Sequence, residues 1–384
     1  MKSIYQKNSN YHVLVDEELI GFFPKILEPL EIIPFKGRLL KSAMIGRAEV
    51  LVVRSVTQVS QKLLEQSDLK LVCSATSGLD HIDQSYLKNS NIKLVNAPGS
   101  NAIAVVEYVI FLILMYSKHI ATSLKKIRVG VIGYGEIGSR LTRILESLGV
   151  QVLINDPPKN MKSGLDRNHF SLEELAKECD CLSIHVPLNR RGRFPTENLI
   201  NSELLAQLKD KVLIINSSRG GIIDEDSLSF MLDRKSGVKV ALDCWKNEPN
   251  IDASLVGKVW LATPHIAGAT VESKYRAVGK ILPSIFNHFG LKNRKINSII
   301  DTKISKNITK TSNNEIEELI NKVFPLNNLS KKLKSIAEFC PTELLMMEFD
   351  SLRKSAADRR ELSYYEFAGN SLLINRITEL SRQI

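Results

Sequence analysis

Ile127-Arg128-Val129-Gly130-Val131-Ile132-Gly133-Tyr134-Gly135-Glu136-Ile137-Gly138 is followed by a helical pattern, a second apolar run Val152-Leu153-Ile154, and Asp156. The order strand, glycine turn, helix, strand and acid is that of a βαβ unit built to hold a dinucleotide. Gly133 permits the tight turn out of the first strand, Gly135 lets the backbone approach a pyrophosphate, and Gly138 lets the helix pack closely on the strand. Ile137 sits between the last two glycines and is counted with them as cofactor-binding. The helix N-terminus then presents unpaired N–H groups to the phosphates. Asp156 stands near the spacing of about 20 residues at which an acid hydrogen-bonds the adenosine ribose. Its charge favours NAD over NADP, whose 2′-phosphate would meet like charge.

Upstream, four short runs rich in Val, Leu and Ile stand at His12–Val15, Val50–Val53, Lys70–Cys73 and Ile92–Val95, with helical patterns such as Gln58–Gln66 between them. Near-continuous apolar strands alternating with helices predict a parallel sheet covered on both faces, an α/β domain over residues 1–100. Two loops follow strand ends in it: Arg54-Ser55-Val56-Thr57 and Ala75-Thr76-Ser77-Gly78-Leu79-Asp80-His81. Small hydroxyl residues beside a glycine suit an anion-binding nest, and equally an ordinary turn. Asn96-Ala97-Pro98-Gly99-Ser100-Asn101 then forms a hinge into the next domain.

Beyond Asp156 the alternation resumes. Ser171-Leu172-Glu173-Glu174 is a capping box. Strands are predicted at Cys181–Val186, Lys211–Ile215, Val238–Leu242 and Val259–Leu261, with a helix over Leu199–Leu208. This second, Rossmann-type domain covers residues 101–283, because Leu282-Pro283 reads as a stop. Residues 291–314, rich in Asn, Lys, Ser and Thr, read as a linker. Helical patterns at Glu315–Val323 and Leu344–Arg353 follow. A C-terminal domain over 284–384 is too small to bury much core alone and is expected to dock on the rest of the chain or on a second subunit.

Bulk properties narrow the function classes. The chain has 384 residues and a formal charge of +10, but after Gly290 sixteen basic side chains are interleaved with twelve acidic ones. That pattern is a solvated surface, not a phosphate-tracking stripe, so no nucleic-acid partner is expected. Met1–Asn10 has no apolar core of a leader, and Ala102–Tyr116 is short for a span and broken by Glu107, so no membrane partner is expected either. Five cysteines at no metal-ligand spacing point to reduced thiols in the cytoplasm, with no metal. Cys179 and Cys181 are not expected to form a redox pair, since disulfides are rare in the cytosol.

Three polar groups stand just past strand ends of the second domain: Arg219 in Asn216-Ser217-Ser218-Arg219-Gly220-Gly221, Glu248 in Asn247-Glu248-Pro249, and His265 in Thr263-Pro264-His265-Ile266-Ala267-Gly268. In a parallel sheet they emerge at the edge that carries the glycine turn. Oxidation of a carbinol needs a base with a pKa near neutrality, which suits His265. A carboxylate beside it orients the ring and favours its protonated form, and a guanidinium fork holds a substrate carboxylate. Taken singly, the three are equally a cap, a solvated acid and a salt-bridge partner.

The glycine turn, Asn-Ser-Ser-Arg-Gly-Gly, Asn-Glu-Pro and Thr-Pro-His-Ile-Ala-Gly in this order resemble the D-isomer-specific 2-hydroxyacid dehydrogenases, over roughly Val13–Pro283. The resemblance implies catalytic Arg219, Glu248 and His265. It implies substrate contacts from Ser55, Thr76 and Gly78, and NAD contacts from Asp156, Asp243 and Gly268. The fold implied is a Rossmann-type domain inserted into or following a flavodoxin-like α/β substrate domain, with a small C-terminal α+β dimerisation domain. Further resembling stretches, Val53–Thr57, Ala97–Val109, Asp156-Pro157-Pro158, Phe349–Lys354 and Arg359-Arg360-Glu361, point to a branch whose substrate is a small phosphorylated hydroxy acid and whose enzyme is a homodimer. One departure stands out: family members commonly carry Tyr after Ile-Ala-Gly, and here Ala269 stands instead. Arg54 and Arg190-Arg191-Gly192-Arg193 are candidates to take over a phosphate contact. Other readings are a family member acting on 3-phosphoglycerate, hydroxypyruvate or glyoxylate, and an NAD-sensing interaction protein on the same fold.

Overall fold

The computed structural model describes residues 11–24, 29–163, 169–291, 308–310, 323–368 and 377–379. The expected linker 291–314 and the helical pattern Glu315–Val323 lie largely outside them. The chain forms two compact units, one of residues 1–101 with 272–304, the other of 102–271 with 305–384.

The first unit holds five parallel strands, β1 (Tyr11–Asp16), β2 (Leu30–Phe35), β3 (Val50–Val53), β4 (Leu71–Ser74) and β5 (Lys93–Asn96), in the order β2-β1-β3-β4-β5. This is the flavodoxin-like order. Period-2 alternation sends Val13, Val15, Val50, Val52 and Leu71 into one core and Leu14, Leu51, Val53 and Val72 into another on the opposite face. β2 has no counterpart among the predicted strands. It is an edge strand paired only with β1, carries Pro34 and alternates irregularly in polarity, so it lacks the apolar signal of the buried strands.

The helix Val271–His288 runs through Pro283 and buries Ala277, Val278, Ile281, Leu282 and Ile285 on the first of these cores. An apolar stripe of that length outweighs the single hydrogen bond that proline removes. The expected boundary at 283 therefore falls inside a helix, and the chain returns to its first unit after completing the dinucleotide fold.

In the second unit β6 (Arg128–Ile132), β7 (Gln151–Asn155), β8 (Cys181–Ile184), β9 (Leu213–Asn216), β10 (Lys239–Leu242) and β11 (Leu261–Ala262) are parallel in the order β11-β10-β9-β8-β6-β7. A bridge from Ile154 to His169 adds a vestigial strand outside β7. With it the order is that of a Rossmann sheet, whose switch point between β6 and β8 opens a crevice at the carboxyl edge. The helix Ala102–His119 is long and apolar enough to cross a membrane, but its side chains, Tyr108, Phe111 and Tyr116 included, are buried in the core against β6, β8 and β9. The expected capping box is formed, with Ser171 and Glu174 each capping the other. Cys181, the first residue of β8, joins one core, and Cys179, which caps the helix Leu172–Glu178 before the strand begins, joins the other. Burial pushes both thiols up, Cys179 to about 12.

The C-terminal segment builds on this second unit. Helices Leu326–Phe339 and Thr342–Ser355 insert Leu333, Leu345, Phe349 and Leu352 among Leu255, Val256 and Val259. A short parallel pair, β12 (Ile308–Lys310) with β13 (Glu366–Ala368), accompanies them.

Candidate active site

The glycine turn has the shape its sequence predicts. Gly133 sits at φ 94°, where an added Cβ would come 2.7 Å from the carbonyl oxygen of His185, and a Cβ at Gly138 would lie 2.0 Å from that of Gly133. At Gly135 a Cβ would meet nothing within 4 Å, so the missing side chain leaves open space. The helix Glu136–Ser147 begins there with Gly135 as N-cap and no side chain on its first amides. Open space in front of uncapped N–H groups fits a pyrophosphate. Asp156 ends β7, where its carboxylate accepts from Tyr134 N at 2.7 Å and Lys159 N at 2.9 Å. That ties the acid to the glycine turn. Ile137 is half-buried behind it.

Arg219, Glu248 and His265 come together on one cavity of about 340 Å3, with Gly220, Gly221 and Trp245 in its wall. His265 Nδ1 lies 2.7 Å from Glu248 Oε2, and Glu248 Oε1 accepts from Trp245 N at 2.8 Å. Burial alone would raise the Glu248 carboxyl. The facing imidazole, its hydrogen bond, the Arg353 guanidinium and the Trp245 amide outweigh that and hold it below the usual carboxylate range. A depressed folded pKa gives pairing energy that is present above the unfolded value and lost as pH falls through the folded one. Glu248 is therefore charged at neutral pH. Because that carboxylate holds the ring through Nδ1, Glu248→Gln should lower kcat about tenfold or more while the NAD dissociation constant changes little. An unchanged kcat would show that the carboxylate does not act on the ring.

The loop that carries His265 is clamped from within. His265 has φ 55°, a conformation that costs a non-glycine residue about 1–3 kcal/mol and persists only when its surroundings enforce it. Asp243, fully buried after β10, does so: its oxygens accept from Thr263 Oγ1 (2.7 Å), Ile266 N (2.8 Å) and Ala267 N (2.9 Å). Tyr108 continues the chain to Thr263 at 2.9 Å, and Trp245 Nε1 donates to Thr263 O at 2.9 Å. Burial raises Asp243 despite these donors. Asp243, expected on cofactor, is thus enclosed by the His265 loop, which Gly268 and Ala269 follow.

The Arg219 loop is fixed by Asn216, which donates to Arg219 O at 2.8 Å and accepts from Ser218 N and Oγ. A Cβ at Gly220 would fall 1.9 Å from Trp245 O, so only glycine lets these two loops meet. Arg219 Nη1 donates to Ser218 O at 2.7 Å. Cys244 Sγ lies with Glu248 and His265 in a cluster within 4.8 Å, but it donates to Ser218 O and burial raises its pKa far up, which keeps it a thiol. Arg190 borders the cavity, paired with Glu197 at 3.1 Å.

His185 is not among the residues expected at the site. It directly follows β8 beside Gly133 at the switch point, Nε2 lies 2.8 Å from Ser183 Oγ, and burial pushes its imidazole down to about 3, so it is neutral. Its only signal is a polar residue directly after an apolar strand.

In the first unit, Arg54 Nε is 2.9 Å from Asp16 Oδ1, a fully buried carboxylate. Thr76 Oγ1 donates to Gly78 O at 2.8 Å, so Ser74 Oγ, at 2.7 Å, donates to Thr76, and His81 Nε2 donates to Ser74. Ser77 fastens this loop to Ala97, Gly99 and Asn101. Ser55 lies half-buried beside Arg54.

Residues 114–267 match the family model described as D-isomer specific 2-hydroxyacid dehydrogenase, NAD binding domain. The protein is accordingly an NAD-dependent oxidoreductase, and the class of its substrates is small hydroxy acids. Erythronate-4-phosphate dehydrogenase of Proteus mirabilis is 34% identical over 355 residues, which are 91% of this chain and 93% of the relative. That of Hahella chejuensis is 40% identical over 279 residues, 73% and 72% of the two chains. The chain belongs to the erythronate-4-phosphate dehydrogenases of the D-isomer-specific 2-hydroxyacid dehydrogenase family. The fold is shared with Aquifex aeolicus D-lactate dehydrogenase (TM-score 0.62, 24% identity, 72% of this chain and 95% of that one). It is shared also with Entamoeba histolytica 3-phosphoglycerate dehydrogenase (TM-score 0.62, 24% identity, 73% and 96%).

Proposed function

We propose that the protein oxidises 4-phospho-D-erythronate to 2-oxo-3-hydroxy-4-phosphobutanoate, a step of pyridoxal 5′-phosphate synthesis. The observation that carries this reading is the Glu248–His265 pair sharing a cavity with Arg219 in a chain that matches erythronate-4-phosphate dehydrogenases over nine-tenths of its length. Bound NAD supplies the hydride acceptor. His265, neutral at the start, takes the proton of the C2 hydroxyl, and Glu248 stabilises the imidazolium that results. Arg219 holds the C1 carboxylate and polarises the developing carbonyl. Ser55, Thr76 and Gly78 are assigned to the substrate from the first unit, and Arg54, oriented by Asp16, is the candidate for its phosphate. In a competition of substrates, kcat/KM for 4-phosphoerythronate should exceed that for 3-phosphoglycerate and glycerate. The reverse order would move the chain to another substrate of the family.

Gly133, Gly135, Ile137 and Gly138 hold the pyrophosphate in this reading, Asp156 takes the ribose hydroxyls, and Asp243 acts on the cofactor site with Gly268. Asp156→Ala should lower the preference for NAD over NADP by about tenfold or more, since it removes the like charge that a 2′-phosphate meets. An unchanged preference would assign discrimination elsewhere.

We further assign a homodimer. Phe339, Leu344, Met346 and Met347 are exposed within nine positions at the junction of two C-terminal helices, a clustering that suits a covered face. Because those helices also fill the second unit's core, truncation would test folding instead. Leu344→Asp with Met347→Lys should give a monomer by light scattering, and an unchanged dimer would refute this face. Five free thiols, four of them buried and Cys340 half-buried, fit the cytoplasm.

A further inference from the structure

We propose that Arg359, in the C-terminal segment, is a positioning residue for the acid/base loop, holding the peptide after His265 against the Asp243 clamp. The guanidinium is buried. Nη2 donates to Ala267 O at 2.8 Å and Ala104 O at 3.2 Å, and Nη1 lies 3.6 Å from Oε2 of fully buried Glu107. The group also lies over the Phe324 ring, 4.0 Å from its centroid. The neighbouring backbone makes a staple of the same stretch. Arg359 O accepts from Val271 N at 3.0 Å, Glu361 Oε1 from Thr270 Oγ1 at 3.0 Å, and Glu107 Oε1 from Leu362 N at 2.9 Å.

Residues 266–271 are therefore gripped from two sides. Asp243 takes the amides of Ile266 and Ala267, and Arg359 with Glu361 takes the carbonyl, hydroxyl and amide that follow. One grip alone leaves the loop a pivot. With the Ala267 carbonyl released, His265 can relax out of its left-handed conformation and draw Nδ1 from Glu248. A buried ion pair roughly breaks even against an apolar replacement, so net stability does not by itself account for Arg359 and Glu107. A defined geometry for the histidine does. The Glu107 that breaks the apolar run of Ala102–Tyr116 thus has its partner in this brace.

The proposal rests on His265 being the acid/base. The rate of His265→Gln tests that reading, and the ratio of the Arg359 variants to wild type tests the brace. In the full chain, Arg359→Met should lower kcat about tenfold or more while the NAD dissociation constant stays within about threefold, since a catalytic group displaced by about 1 Å costs rate before it costs cofactor. Arg359→Lys, which keeps the charge and a donor, should recover part of the loss. Leu333→Ala, a core change in the same segment, should lower Tm comparably and keep kcat. A kcat for Arg359→Met within about twofold of wild type, or a loss no larger than that of Leu333→Ala at equal Tm, would overturn the proposal. If Arg359→Met is insoluble, Glu107→Gln loosens the same brace: a selective fall in kcat supports it, and an unchanged kcat overturns it.

Discussion

His265→Gln is expected to lower kcat for NAD reduction by about 10²- to 10⁴-fold while the NAD dissociation constant changes little. Glutamine keeps polarity and much of the bulk but cannot accept the hydroxyl proton as hydride departs. It also leaves Glu248, whose remaining partners are the Trp245 amide and the Arg353 charge, without its imidazole. The cofactor contacts proposed on the glycine turn and Asp156 do not involve the imidazole, so binding should survive. Backbone provides a second control. His265 sits at φ 55°, which asparagine adopts more readily than glutamine. His265→Asn should therefore lose as much rate as His265→Gln. Recovery in the asparagine variant alone, or an equal loss of rate and NAD affinity in both, would make the histidine structural. Steady-state rates with NAD titrations on the same preparations distinguish these results.

Arg219→Met should lower kcat/KM for the hydroxy acid by about 10²- to 10³-fold, the loss of a charge-assisted, two-pronged contact in a partly buried site. Arg219→Lys should recover little of it, because an ammonium supplies a point charge and no fork. The loop gives reason to expect a local effect. Asn216 anchors it through Arg219 O and Ser218, and Gly220 passes Trp245 without room for a Cβ, so these anchors remain when the guanidinium and its bond to Ser218 O are removed. KM for NAD should stay near the wild-type value. Full activity with lysine would reduce Arg219 to a source of positive charge, and a matching fall in NAD affinity would place it at the cofactor.

The parts of this molecule that were legible are those where backbone geometry or chemistry leaves few alternatives. Gly133 and Gly138 have no room for a Cβ, and Asp156 follows a buried strand and accepts from Tyr134 N of the turn, so the dinucleotide unit is written locally. Arg219, Glu248 and His265 are each ambiguous alone and become readable because a parallel sheet delivers all three to one edge. What escaped depends on tertiary partners. β2 hides behind Pro34 and an irregular polarity pattern, and Pro283 reads as a stop although a buried stripe carries the helix through it. The clamp by Asp243 and the grip of Arg359 on Ala267 join residues 20 to 92 positions apart, so no local pattern marks them.

Hydride transfer from the carbon next to the carboxylate is the central claim, and isotopic labelling tests it most directly. The purified protein is given NAD and 4-phospho-D-erythronate deuterated at C2, and the reduced cofactor is analysed by mass. The proposed chemistry predicts reduced nicotinamide carrying the deuterium, formed together with the 2-oxo acid. Reduced cofactor without the label, or none from this substrate while another hydroxy acid reacts, would contradict it.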